Sequence, residues 1–158
     1  MLIGGAALLL VLVLGITGIG RVWKGSDSVA AEAAAGTAAV KVSEMKKASG
    51  KTNDDRLKFI RAFGWEVEEE PAEIMEVIIP EEFDDVYTQY NAIQKKQGCD
   101  LEQYQGKRCK RYAYVITNYP GTEEAVQLTL LVCKNKVIGG DISSVNPDGF
   151  IHGFEMPQ

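Results

Sequence analysis

The chain has 158 residues and a formal net charge of −5 at pH 7. A mildly acidic protein binds phosphate backbones poorly, so no nucleic-acid partner is expected. Three cysteines and one histidine follow no zinc-ligand spacing, so we expect neither a metal site nor a cofactor.

Residues 1–20 contain no charged, amide or imidazole side chain. The run Leu2–Ile19 is long enough to cross a bilayer core of about 30 Å as a helix. It therefore predicts an uncleaved N-terminal transmembrane anchor, with a cleaved secretory signal as the alternative. Arg21 and Lys24 follow the run, and the positive-inside rule alone would put the rest of the chain in the cytoplasm.

Residues 21–51 are rich in alanine, which favours helix but buries little apolar surface. This composition predicts a partly helical spacer without a core of its own. The remaining residues, 52–158, are numerous enough for one domain with a single core.

The first half of this domain contains a helix and two short strands. Thr52 and Asp55 have the spacing of a capping box, and the apolar positions that follow predict a helix over Asn53–Phe63. Alternation predicts a strand over Trp65–Glu68 and a second over Ile74–Ile79. In the second strand, we expect Met75, Val77 and Ile79 to share the buried face.

The second half begins with a helix over Glu81–Gln97, which has acidic residues at its start and Lys95 and Lys96 at its end. Three further strands are predicted over Cys109–Asn118, Ala125–Cys133 and Val137–Ser144, before a tail over Phe150–Gln158. The order α-β-β-α-β-β-β predicts an α+β fold. We expect two layers, an antiparallel sheet of about five strands with both helices on one face.

Two charged segments are candidate surfaces. The acidic tract, Glu66–Asp85, has ten acidic residues and no basic one, which is typical of a solvated face. The basic tract, Lys107–Arg111, holds four cations beside tyrosines: Lys107, Arg108, Lys110 and Arg111. It predicts binding to an acidic partner, which could be an anionic lipid, a cell-wall polymer or a protein. The alternatives are a strand edge kept soluble by charge, or attraction between the two tracts.

Enzymatic chemistry has one weak candidate. Cys133, His152 and Asp141 are residue types that serve as nucleophile, base and orienter, so a small hydrolase is the alternative function. The spacing of these residues does not show that they meet, and no catalytic residue is assigned. The pair Gly139–Gly140 lies within a predicted strand, which indicates a bulge or a close backbone approach.

Several short segments together resemble an uncharacterised domain family of clostridia-type Gram-positive bacteria. They occur in order between Lys58 and Gly153: Phe63-Gly64-Trp65, Tyr90-Asn91 through Gln97-Gly98, Gly106-Lys107, Arg111-Tyr112 and Gly139-Gly140-Asp141. The resemblance implies a short protein with an N-terminal membrane segment or signal and its domain outside the cytoplasm. We therefore expect a single-pass, extracytoplasmic binding, sensing or interaction module.

Overall fold

The computed structural model describes Met45 and residues 48–158. The predicted anchor and most of the predicted spacer lie outside the described residues. Within the described part of the chain, no helix is both long and apolar enough to cross a membrane.

Two α-helices begin at side-chain caps. Helix α1, Asn53–Ala62, has the predicted capping box, in which Thr52 and Asp55 bond reciprocally. Helix α2, Asp85–Lys96, begins later than the predicted Glu81, because the Asp84 side chain accepts a hydrogen bond from the Tyr87 N–H at 2.7 Å. A short 3₁₀ turn, Leu101–Tyr104, follows α2.

A five-stranded antiparallel sheet confirms the predicted α+β class. Its spatial order is that of the chain, β1-β2-β3-β4-β5. The strands are β1 Glu73–Ile78, β2 Arg108–Val115, β3 Val126–Cys133, β4 Lys136–Ser144 and β5 Ile151–His152.

One of the five predicted strands does not form, and a strand that was not predicted takes its place in the count. The segment Trp65–Glu68 forms only an isolated bridge, from Val67 to Ile116. Trp65 is held by packing, since it is buried and its Nε1–H donates to the Phe154 carbonyl at 2.6 Å. The fifth strand is instead β5, which lies in the predicted tail.

The prediction that both helices pack on one face of the sheet is wrong. Helix α1 contributes Leu57 and Ile60 to a core with the Leu128 side of β3. Helix α2 contributes Tyr87 and Tyr90 to a separate core with the opposite side of β3. The physical reason is that β3 has apolar residues on both faces, and each face is buried by packing against a different helix. The sheet therefore lies between the two helices.

The glycine pair in β4 has the predicted close contacts. A Cβ on Gly139 would lie 2.7 Å from the Gln94 Oε1 atom, and one on Gly140 would lie 2.0 Å from the Thr129 carbonyl oxygen. Only glycine allows β3 and α2 to approach β4 this closely.

Candidate functional site: the free edge of β1

The four cations of the basic tract do not form one patch. Arg108 and Lys110 lie on one face of β2, whereas Arg111 is buried on the other, with 5% of its surface exposed. Lys107 is exposed and precedes the strand. Strand alternation separates residues that are neighbours in sequence.

Two of these cations pair with the acidic tract. The Arg111 Nη1 atom donates to the Glu73 Oε2 atom, and Nη2 lies 3.5 Å from the Thr129 hydroxyl. On the other face, the Arg108 Nη1 atom donates to Glu76. Lys107 and Lys110 form no ion pair with the described residues. Lys107 and Lys110 are thus exposed without an ion pair to described residues, and binding of an acidic partner stays a prediction.

The residues of the hydrolase hypothesis are not brought together. Cys133 lies opposite Lys136, and His152 lies opposite Ile142. Those two β4 partners are about 20 Å apart along an extended strand at roughly 3.3 Å per residue. The Tyr119 hydroxyl lies 3.0 Å from the His152 Nε2 atom, and burial lowers the pKa of this histidine.

Asp141, the third residue of that hypothesis, belongs to a buried polar cluster beneath α2. Its Oδ1 atom accepts a hydrogen bond from the Tyr90 hydroxyl at 2.8 Å. Burial raises the pKa of Asp141, and the hydrogen bond from Tyr90 and the charge of Arg111 act in the opposite direction. The cluster joins α2 to the sheet, and among the described residues no hydrogen bond links Asp141 to a cysteine.

The β1 strand presents an exposed surface at the end of the sheet. Ile74 is 57% exposed and Ile78 is 46% exposed, and both lie on the same face with Glu76 between them. Among the described residues, Val145 is the one other large apolar side chain that is exposed, at 53%. Scattered exposed apolar residues are ordinary, but here two lie on the same face of an edge strand, on either side of Glu76.

The backbone of β1 is also available at this edge. The Ile79 N–H donates to the Lys107 carbonyl at 3.0 Å, so Ile79 faces β2. Antiparallel pairing alternates inward and outward groups along a strand. The N–H and C=O groups of Ile74, Glu76 and Ile78 therefore point away from β2. No described strand pairs with that side of β1. We call these three residues and their outward backbone groups the β1 edge surface.

The segments that precede and follow β1 in the chain are acidic, whereas the exposed Lys110 of β2 lies opposite Glu76. β1 itself lies within the acidic tract, which continues at both of its ends. Seven carboxylates of the tract form no ion pair with described residues. They are Glu66, Glu68, Glu70, Glu81, Glu82, Asp84 and Asp85. Together, these unpaired carboxylates favour a cationic ligand over an anionic one.

Sequence analysis missed the β1 edge surface because it assigned only one face of this strand. Met75, Val77 and Ile79 do face the core, as predicted, although Met75 is only partly buried. The sequence does show apolar residues, Ile74 and Ile78, on the other face as well, but their exposure follows from the position of β1 at the end of the sheet.

A comparison with protein families matches residues 59–142, more than half of the chain, to a domain of unknown function named DUF4830. Neither a curated protein nor a solved structure gives a significant match to the chain. The matched segment runs from α1 to β4 and includes the β1 edge surface, the basic tract and Asp141. The chain therefore belongs to the DUF4830 family, a family of domains of unknown function.

Proposed function

We propose that this protein is a membrane-anchored, extracytoplasmic interaction module that binds an extended, basic segment of a partner protein along the β1 edge surface. The observation that carries the proposal is the pair of exposed isoleucines on an edge strand whose outward backbone groups have no described partner. An added strand would satisfy those backbone groups and cover both side chains.

Charge determines the chemistry of the proposed partner. The sequence alone suggested an acidic partner for the basic tract, but Arg108 and Arg111 are paired with Glu76 and Glu73. In the two tracts, seven carboxylates and two lysines form no ion pair with described residues. Lysine or arginine side chains on the incoming strand would contact the acidic segments at either end of β1, and this attraction would weaken with salt.

The anchor and the placement are supported by sequence. The uncharged run over residues 1–20 has the length of a transmembrane helix, and the family resemblance implies a domain outside the cytoplasm. Protease treatment of intact protoplasts tests this placement. We expect cleavage of the domain without lysis, and protection of the domain until lysis would refute the extracytoplasmic placement.

A defined peptide tests the binding mode. The full-length protein in detergent is titrated into a fluorescent peptide of about eight alternating valines and lysines, an ordinary strand length. A twin peptide with glutamates in place of lysines is the charge control. We expect the basic peptide to bind about tenfold more tightly than its acidic twin, with an affinity that falls as salt rises.

Two threonine variants locate the site. Ile74→Thr combined with Ile78→Thr keeps β-branched residues in the strand but removes apolar contact area. We expect this double variant to bind the basic peptide about tenfold more weakly. Val145→Thr alters an equally exposed apolar residue elsewhere and should leave the affinity unchanged. Equal affinity for both peptides, or equal losses in both variants, would overturn the proposal. So would salt-sensitive binding to anionic vesicles that requires Lys107 and Lys110, because it would assign the surface to an acidic partner.

A further inference from the structure

Two of the three cysteines face each other across adjacent strands. The β2–β3 register pairs Lys110 with Val132. One step further along the same register places Cys109 opposite Cys133, and both belong to the core beneath α2. Cys99 instead packs at the border of the core on the other face of the sheet.

The contacts of the two thiols agree with this register. The Cys133 Sγ atom lies 3.7 Å from the Arg108 carbonyl, beside the Cys109 peptide. Both cysteines are buried. Burial and then the hydrogen bond with the Cys133 thiol raise the pKa of Cys109 to about 12.

The backbone geometry fits a disulfide. Residues directly opposite in an antiparallel pair have Cα atoms about 4.5–5.5 Å apart, depending on the type of pair. Disulfides span Cα distances of about 4.4–6.8 Å. The side chains of Cys109 and Cys133 also lie on the same face of the sheet, as a bond between their sulfur atoms requires.

We propose that Cys109 and Cys133 form an intramolecular disulfide by exchange with a small-molecule disulfide, and that Cys99 stays a thiol. The chemistry rests on the proposed extracytoplasmic placement, because disulfides persist outside the cytoplasm. One protein thiolate attacks the reagent and releases one small thiol, which leaves a mixed disulfide. The second protein thiolate then displaces the other half of the reagent. The two protons that the cysteines lose end on the two released thiols, so the reaction balances.

Burial determines when this exchange happens. Thiolates are the reacting species, and a pKa of about 12 makes the Cys109 thiolate scarce in the folded protein. We therefore expect slow oxidation of the folded protein and fast oxidation while it folds. The bond would join β2 to β3, and Cys109 also pairs with Val77 of β1.

Refolding of the full-length protein with oxidised and reduced glutathione, followed by alkylation and peptide mapping, tests the pair. We expect a peptide that links Cys109 to Cys133, with a mass lower by two hydrogen atoms, and an alkylated Cys99. Cys99→Ser should keep the link, whereas Cys109→Ser should abolish it. The midpoint of urea unfolding should be higher for the oxidised than for the reduced protein. A link through Cys99, glutathione retained on either cysteine of the pair, or three alkylated thiols after refolding would overturn the proposal.

Trapping of thiols in intact cells separates this inference from the proposed placement. An oxidised pair in cells supports both. If the pair is oxidised on refolding but reduced in cells, Cys109 and Cys133 are placed to form a disulfide but the proposed extracytoplasmic placement is refuted.

Discussion

Asp141 carries a carboxyl group into the interior between α2 and the sheet. The side chain is fully buried, and the Tyr90 hydroxyl donates to one of its oxygens. Its other oxygen has no hydrogen-bond partner among the described residues. The same is true of the Arg111 Nε atom and the Tyr87 hydroxyl. Buried polar atoms of this kind are usually satisfied by ordered water, so we expect water in this cluster.

The raised pKa of Asp141 makes a prediction about stability. Burial favours the protonated carboxyl in the folded state, whereas an unfolded aspartate titrates near 3.9. The folded protein therefore binds more protons between these two pKa values, and stability falls as pH rises through that window. Asp141→Asn cannot ionise, so its free energy of unfolding should rise relative to the wild type as pH increases above about 4.

Urea unfolding of the full-length protein in detergent at several pH values measures this difference. Asp148→Asn makes the same chemical change at an exposed position and should show no such pH-dependent gain. A difference between Asp141→Asn and wild type that stays constant or decreases with rising pH would contradict this account of the buried carboxyl.

At the scale of elements, local signals predicted the secondary structure well. The capping box defined the start of α1, and alternation identified β2, β3 and β4. The start of α2 was misplaced because Asp84 and Glu81 are both plausible first-turn acids, and only the observed cap distinguishes them. Strand β5 is only two residues long, too short to show an alternation of apolar and polar residues. It is defined by its pairing with β4, in which Ile151 lies opposite Ser143.

The layer order depended on contacts that are distant in sequence. An α-helix with one apolar face must pack on a sheet, but its amphipathic pattern does not specify which side. The signal in the sequence was in β3, where Leu131 and Cys133 alternate with Leu130 and Val132 and no polar face is left between them. Such a run is typical of a strand that is covered on both sides.

The candidate site was predicted only in part, for a related reason. Binding by the basic tract stays a prediction, and the strand register sends Arg108 and Arg111 to opposite faces, where each meets a glutamate of β1. That pairing was one of the alternatives left open by the sequence. Exposure of Ile74 and Ile78 could not be predicted, since it follows from the position of β1 at the end of the sheet.

At the scale of the whole described domain, the sheet has one long edge at β1 and a short strand, β5, at the other end. Proteins commonly protect such edges with charge. Here Glu76 lies between the two exposed isoleucines and forms an ion pair with Arg108, which lies opposite Ile78 on β2. Acidic segments at both ends of β1 repel a second copy of the same edge. These features favour a basic partner strand over self-association.

The account depends most on the occupant of the β1 edge surface in the cell, and site-specific photo-crosslinking measures it directly. A photoreactive amino acid replaces Ile74 in the full-length protein, and a matched variant carries it at Val145. We predict a crosslink from position 74 to a lysine- or arginine-rich segment of another protein. It should be absent from position 145 and reduced when Glu68, Glu70, Glu82 and Asp85 are changed to amides. Crosslinks from position 74 that map to lipid, to a second copy of this chain, or to the same products as position 145 would contradict the account.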